Sequence, residues 1–220
     1  MSYEVGAWIA LLVYAAFFFD LFGFLARDEL WLRLLMLAAS ALYLVYYYSV
    51  ADRPLWDAII TNAVLAGANL IMICVVVLER TTLAMPQETA ALYRRFPMLT
   101  PGQFRRLLKL GEAHDPEAPV VLTEAGAPVE HLFYVVDGSV EIEKSGRASA
   151  LPAGVFIGEL AFLTGQSASA TVSVKPGTRY IRWDTATLRR AMDRSEKFKV
   201  AMSAQFNTDL VAKVSQSLPA

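Results

Sequence analysis

Cysteine is nearly absent from this chain. Cys74 stands alone inside an apolar run, which excludes a disulfide framework and a cysteine-based metal cluster. Histidine is almost as scarce, and His114 and His131 have no ligand-like spacing to each other or to a third partner. Both read as ordinary surface or loop residues. An excess of charge of either sign is missing too: 20 basic and 21 acidic side chains leave a formal net charge of −1, so electrostatics make no case for nucleic-acid binding. No nucleophile–base pair, metal-ligand set or glycine-rich nucleotide loop is visible, which argues against an enzyme.

What the sequence does have is apolar residues, unevenly spread. They make up 55% of the chain, above the usual globular range of about 45–50%. Residues 1–80 carry four basic and seven acidic groups, against sixteen and fourteen in 81–220, so the excess lies in the first third. Three apolar runs, 5–25, 30–50 and 55–78, approach or exceed the roughly 20 residues that cross a bilayer as a helix. Short charged links, Arg27-Asp28-Glu29 and Asp52-Arg53-Pro54, impose an up-down-up bundle. The first run lacks a basic leader and is followed by two more spans, so it is not a signal peptide.

Basic residues set the expected orientation. Arg27 and Arg33 flank the first link and Arg80, Arg94, Arg95, Arg105 and Arg106 follow the third run, while the second link has only Arg53 among Asp52 and Asp57. The positive-inside rule then places the N-terminus outside and residues 81–220 in the cytoplasm, at a plasma or inner membrane. Tyr46, Tyr47, Tyr48 and Trp56 suit an aromatic belt at the outer interface. Asp20 and Arg33 fall near the cytoplasmic ends of their spans, where they reach the interface or pair with one another. Asn62 and Asn69, with Ala63, Ala66 and Gly67 close by, give the third run a small, amide-bearing face. That face is either a dimer seam or packing within the bundle.

From residue 81 the pattern becomes that of a soluble domain. A short helix is expected over 88–96. Thr100-Pro101-Gly102-Gln103 is a helix start, with a threonine cap, proline at the first position and a glutamine that closes a capping box. Short β-rich runs at 120–122, 132–136, 140–143, 171–174 and 180–183, punctuated by Gly126, Gly138, Gly146 and Gly154, predict an antiparallel β-barrel or jelly roll. Asp184 or Thr185 then caps a final helical region. Within it Phe198, Met202, Phe206, Leu210 and Val214 recur at spacings of four, a stripe too long for a single barrel to cover, so part of it is expected to meet a second protomer or to act as a mobile lid; the alternative is that it folds back on its own barrel. The fold class is α+β: three transmembrane helices (1–80), a connector with N-terminal helices (81–118), the β-barrel or jelly roll (119–184) and C-terminal helices (185–220).

One stretch is more specific. Residues 157–172 read Ile-Gly-Glu-Leu-Ala-Phe-Leu-Thr-Gly-Gln-Ser-Ala-Ser-Ala-Thr-Val. A Gly-Glu step opening a short apolar helix presents backbone N–H groups at a helix N-terminus, a setting that favours an anion. The stretch resembles the phosphate-binding cassette of cyclic-nucleotide-binding domains, Phe-Gly-Glu-Leu-Ala-Leu, a spacer, then Pro-Arg-Ala-Ala-Thr-Val. Gly158, Glu159, Leu160 and Ala161 fall in register, as do Ala170, Thr171 and Val172. Where the family has its phosphate-binding arginine this chain has Ala168, preceded by Ser167. The run 132–140, Leu-Phe-Tyr-Val-Val-Asp-Gly-Ser-Val, resembles a second signature of that family. Three membrane spans before such a domain, Arg179-Tyr180-Ile181-Arg182-Trp183, and Phe104-Arg105-Arg106-Leu107-Leu108 are similar to the Popeye-domain proteins. The Popeye signature Asp-Ser-Pro-Glu-Trp is absent.

The resemblance implies a membrane-anchored, non-enzymatic sensor of a cyclic nucleotide, cAMP or cGMP. Glu159 would take the ribose hydroxyls, the Gly158 and Ser169 backbone the phosphate, and Thr171 a secondary contact, with Leu160, Ala161 and Ala168 completing the site. Lys144, Arg147, Lys175, Arg179 and Arg182 are the candidates for a replacement cation. No metal or resident cofactor is expected. The implied partners are the lipid bilayer, a second copy of the chain and other membrane proteins. The alternative is a ligand-free scaffold that uses the same fold to bind other membrane proteins.

Overall fold

The computed structural model describes residues 2–51, 53–83, 85–144 and 146–217. Asp52 of the second link and the last residues of the C-terminal region, 218–220, lie outside them. The chain divides into two compact units, Met1–Leu83 and Ala84–Ala220.

The first unit is three helices, α1 (Ser2–Leu25), α2 (Glu29–Ser49) and α3 (Trp56–Arg80). All three are long and apolar enough to cross a membrane. Asp28 caps α2, accepting from the Leu30 N–H at 2.9 Å and the Trp31 N–H at 3.3 Å. Its second oxygen pairs with Arg80 at 2.8 Å, so the α1–α2 link and the end of α3 meet at one end of the bundle. Outward faces carry Trp8, Phe18, Phe22, Ile60, Val64 and Ile71, all more than half exposed. Apolar surface on that scale is foreign to a water-facing monomer.

The small, amide-bearing face of α3 is used inside the bundle. Asn62 donates to the Ser40 carbonyl at 2.7 Å, and buried Asn69 accepts from Arg33 at 3.4 Å. These bonds join α3 to α2, so the face serves packing within the bundle. Arg33 also lies 3.8 Å from Glu29, and of the two alternatives for Asp20 and Arg33 an ion pair with one another is not seen among the described residues.

The second unit opens with α4 (Gln87–Tyr93), shorter than the helix expected over 88–96, and α5 (Pro101–Lys109). The capping box on α5 is complete: Thr100 Oγ1 accepts from the Gln103 N–H, and Gln103 Oε1 from the Thr100 N–H. Eight strands follow with α6 (Glu159–Thr164) among them: β1 (Glu112–His114), β2 (Val120–Thr123), β3 (His131–Asp137), β4 (Ser139–Lys144), β5 (Arg147–Pro152), β6 (Phe156–Ile157), β7 (Thr171–Val174) and β8 (Arg179–Asp184). The chain ends in α7 (Thr185–Asp193), capped by Asp184, and α8 (Glu196–Ser217).

The strands do not close into a barrel. They form two antiparallel four-stranded sheets, β1-β8-β3-β6 and β2-β7-β4-β5, a jelly-roll arrangement. Period-two alternation along the first sheet divides the core. Phe133, Val135, Ile157 and Tyr180 point toward Val140, Val172 and Val174 of the second sheet. Leu132, Tyr134, Phe156, Ile181 and Trp183 point the other way, onto Phe96, Phe104, Leu107, Leu188, Phe198, Met202 and Phe206 of the helices. Trp183 Nε1 donates to the Leu107 carbonyl at 2.8 Å, satisfying the indole in an otherwise apolar core. Gly111 is required there, because a Cβ at that position would lie 2.5 Å from Trp183 Nε1.

The stripe on α8 is therefore covered by its own domain along its first half. Phe198, Met202 and Phe206 are fully or almost fully buried, which removes Phe206 as a residue that meets a second protomer. The reason is the helical face of the first sheet, a second apolar layer that a single closed barrel would not have offered.

Candidate functional site

The cassette folds as a tight turn into a short helix. Gly158 stands at the N-cap of α6 with φ +90°, and a Cβ there would approach Val129 Cγ1 to 2.9 Å. Both the backbone conformation and the close approach select glycine. Gly165 ends α6 in the left-handed region, and the returning chain enters β7. Arg189 of α7 lies 4.3 Å from the Phe162 ring centroid and donates to the Phe162 carbonyl, holding α6 against the C-terminal helices.

A cavity of about 330 Å³ opens between the cassette, the second sheet and α8. It lies near the lower end of the roughly 300–1,000 Å³ typical of small-molecule sites. Gly158, Glu159, Leu160 and Ala161 line one side and Ala168, Ser169 and Ala170 another. Ile142, Leu151, Leu210 and Val214 supply apolar walls, and Lys144 and Lys213 the cations. Of the seven site residues expected from the sequence, six converge here. Thr171 does not. Its side chain takes the opposite face of β7, where its hydroxyl accepts from the Ala125 N–H at 3.1 Å, beside a separate cavity of about 400 Å³ over β4, β5 and β7.

Ala168 is fixed by its backbone. Its N–H donates to the Ala127 carbonyl at 2.9 Å and its carbonyl accepts from the Gly126 N–H at 2.8 Å. The position that carries the arginine in the cassette pattern therefore faces the cavity with a methyl group only. Among the candidate cations, Lys175 pairs with Glu141 at 2.5 Å and Arg182 with Glu112 at 2.6 Å. Neither lines the cavity, nor do Arg147 and Arg179; Lys144 does. No ion pair is seen for Lys144 among the described residues.

Glu159 is buried, with 6% of its surface exposed. One of its oxygens lies 2.5 Å from Lys213 Nζ, and Lys213 also meets Asp209 at 2.7 Å and donates to the Phe156 carbonyl. Asp209 in turn accepts from the Phe156 N–H at 3.3 Å. Burial raises the pKa of both carboxyl groups above the ordinary range, and the neighbouring Lys213 ammonium offsets only part of that rise. Such a pair costs more in lost hydration than its attraction returns, unless further hydrogen bonds complete it. The Phe156 peptide provides them.

The sequence pattern did not single out Asp209 and Lys213. A signal was present: the two are four residues apart on an amphipathic helix, the spacing of an i,i+4 ion pair.

Comparison with known proteins bears on this site. Residues 117–195 match the family described as the cyclic nucleotide-binding domain. That segment holds every strand from β2 to β8, the cassette and α7. A Rhodopseudomonas palustris protein, provisionally named a potassium channel protein, is 34% identical over 103 residues, 45% of this chain and 25% of its own. A protein of Mesorhizobium japonicum named a cyclic nucleotide-gated potassium channel is 33% identical over 78 residues, 36% of this chain and 22% of its own. The chain thus spans about a quarter of the length of the curated relatives it matches. Among solved structures, a cyclic nucleotide-binding domain from Methylobacillus flagellatus superposes with a TM-score of 0.51 at 16% identity, covering 60% of this chain and 83% of its own. A Geobacter metallireducens protein provisionally named for cyclic nucleotide binding gives 0.51 at 16%, covering 59% and 99%. At that identity the likeness is one of fold.

Proposed function

We propose that this chain is a membrane-anchored, non-enzymatic sensor of a cyclic nucleotide, cAMP-like, with the three-span architecture of the Popeye type. The supporting observation is that 158–161 and 168–170, far apart along the cassette, line one cavity together with Lys144 and α8. In this reading Glu159 accepts from the ribose hydroxyls. The cyclic phosphate lies toward Ser169 and Ala168, with Lys144 as its mobile counter-charge. A single flexible ammonium is a point charge and does not replace the two parallel bonds of a guanidinium, so binding is weak. The apolar helices α1 to α3 hold the domain at the cytoplasmic face of a plasma or inner membrane, with the N-terminus outside. Any homodimer uses a surface other than Phe206, which is buried within its own domain.

Calorimetric titration of the full-length protein in detergent with cAMP and cGMP tests the reading, with 5′-AMP as the acyclic control. Saturable heat with a cyclic nucleotide and none with 5′-AMP is the expected outcome. No heat from either cyclic nucleotide would favour the second reading, a scaffold for other membrane proteins that uses the fold without a ligand. That reading draws its support from Lys213, which already occupies the Glu159 carboxylate.

A further inference from the structure

We propose that Lys213 is an internal competitor for the nucleotide site: it neutralises Glu159 in the ligand-free protein, and a ligand that engages Glu159 must displace it and release the end of α8. The proposal rests on the reading of the cavity as a cyclic-nucleotide site.

An ammonium has three donors, and Lys213 spends all three on this domain. It meets Glu159 at 2.5 Å, Asp209 at 2.7 Å and the Phe156 carbonyl. None is left for a phosphate, so Lys213 is not the substitute for the arginine missing at Ala168. It acts instead as the counter-charge of the carboxylate that a ribose would need. The side chain is 18% exposed, so the contact is shielded from water on most sides.

The same contact fixes the end of α8. The N–H of Phe156 goes to Asp209 and its carbonyl to Lys213, one helical turn later. Between and beyond them Leu210 and Val214 wall the cavity. Upstream, Phe198, Met202 and Phe206 anchor the helix in the core. Downstream of Phe206, Asn207, Thr208, Val211, Ala212 and Ser215 are exposed, and besides Lys213 itself only Asp209 and Leu210 are buried or half-buried between them, so little apolar burial holds 207–215 beyond the Lys213 and Asp209 contacts. Loss of the Lys213 contacts therefore loosens together the cavity wall at Leu210 and Val214 and the end of α8, which then keeps the Asp209 bond to the Phe156 N–H.

The test uses the full-length protein in detergent and two variants, Lys213→Met and Asp209→Asn/Lys213→Met. The double variant removes equal and opposite charges, so it keeps the test usable if the single variant folds poorly. Amide hydrogen exchange is followed over 207–217 without ligand, and cAMP and cGMP are titrated into each protein. Exchange in 207–217 should accelerate in both variants while 198–206 stays protected. Affinity for cAMP should rise by about tenfold, the scale of one charge-assisted hydrogen bond no longer in competition. Unchanged exchange in 207–217 would refute the anchoring role whatever the nucleotide does. Faster exchange with cAMP bound no more tightly than by wild type would refute the competition. If exchange accelerates and no protein takes up cAMP or cGMP, the nucleotide reading falls and the competition with it, while the anchoring contact stands.

Discussion

Ala168→Arg restores the one cationic position that the cassette lacks. The backbone there is held on both sides by the 126–127 turn, so a new side chain starts from a fixed point on the cavity wall. Truncating one member of a buried, hydrogen-bonded charge pair costs about 2–5 kcal/mol. Ala168 is only half buried and the cavity is open to water, so the lower end applies. About 2 kcal/mol corresponds to roughly thirty-fold in affinity. Calorimetric titration of the full-length variant should therefore show cAMP binding tightened by about that factor, and cGMP by a similar one, because the contact is to the phosphate both share. Ala168→Gln, which has reach but no charge, should recover little of it. The gain should shrink as salt is added. A folded Ala168→Arg protein that binds cAMP no better than wild type would mean that the phosphate does not lie beside this wall, and the placement of the ligand would be wrong.

Phe206 is fully buried, with its ring 5.0 Å from Phe156 and 5.6 Å from Phe162, so Phe206→Ala should cost about 3–5 kcal/mol in denaturant unfolding, with no change of oligomeric mass before unfolding. Glu159 and Asp209 hold their protons more tightly in the folded domain than their ordinary values of 4.5 and 3.8. Their contribution to stability is therefore fully present below those values and falls as pH rises through them toward the raised folded values. Glu159→Gln should flatten that decline in denaturation midpoints compared between about pH 4 and pH 7; an unchanged slope would mean the carboxyl is not shifted. In a Cys74→Ser background, a membrane-impermeant thiol reagent applied to intact cells should label Ser2→Cys and spare Lys197→Cys. The opposite pattern would place the nucleotide site outside the cell.

Much of the second unit could be seen in its residues because local chemistry and tertiary context agree there. The Thr100 capping box and β7 formed where the pattern put them. Strands β1, β5 and β6 escaped notice for physical reasons. β1 and β6 are three and two residues long, and β5 reads Arg-Ala-Ser-Ala-Leu-Pro without alternation. Each is strand because a neighbour with a stronger pattern, β8, β3 or β4, offers it a ladder. The cassette placed six of its seven residues on one cavity, whereas Thr171 went to the far face of β7 under period-two alternation. Lys213 is not legible as a site residue because its partner Glu159 lies 54 residues away in sequence and is met only through the fold.

Trp183 gives the domain a built-in optical probe. It is the one tryptophan of the second unit; Trp8, Trp31 and Trp56 all sit on the apolar helices of the first. Its indole is sealed from water and lies 6.3 Å from the Phe156 ring, and Phe156 both lines the cavity and binds the end of α8 through its own peptide groups. With the other three tryptophans replaced by phenylalanine, emission from Trp183 would report a shift of Phe156 without any attached dye. Events at the cavity and at the helix end could then be timed separately from one sample, by following the fluorescence beside the arrival of ligand.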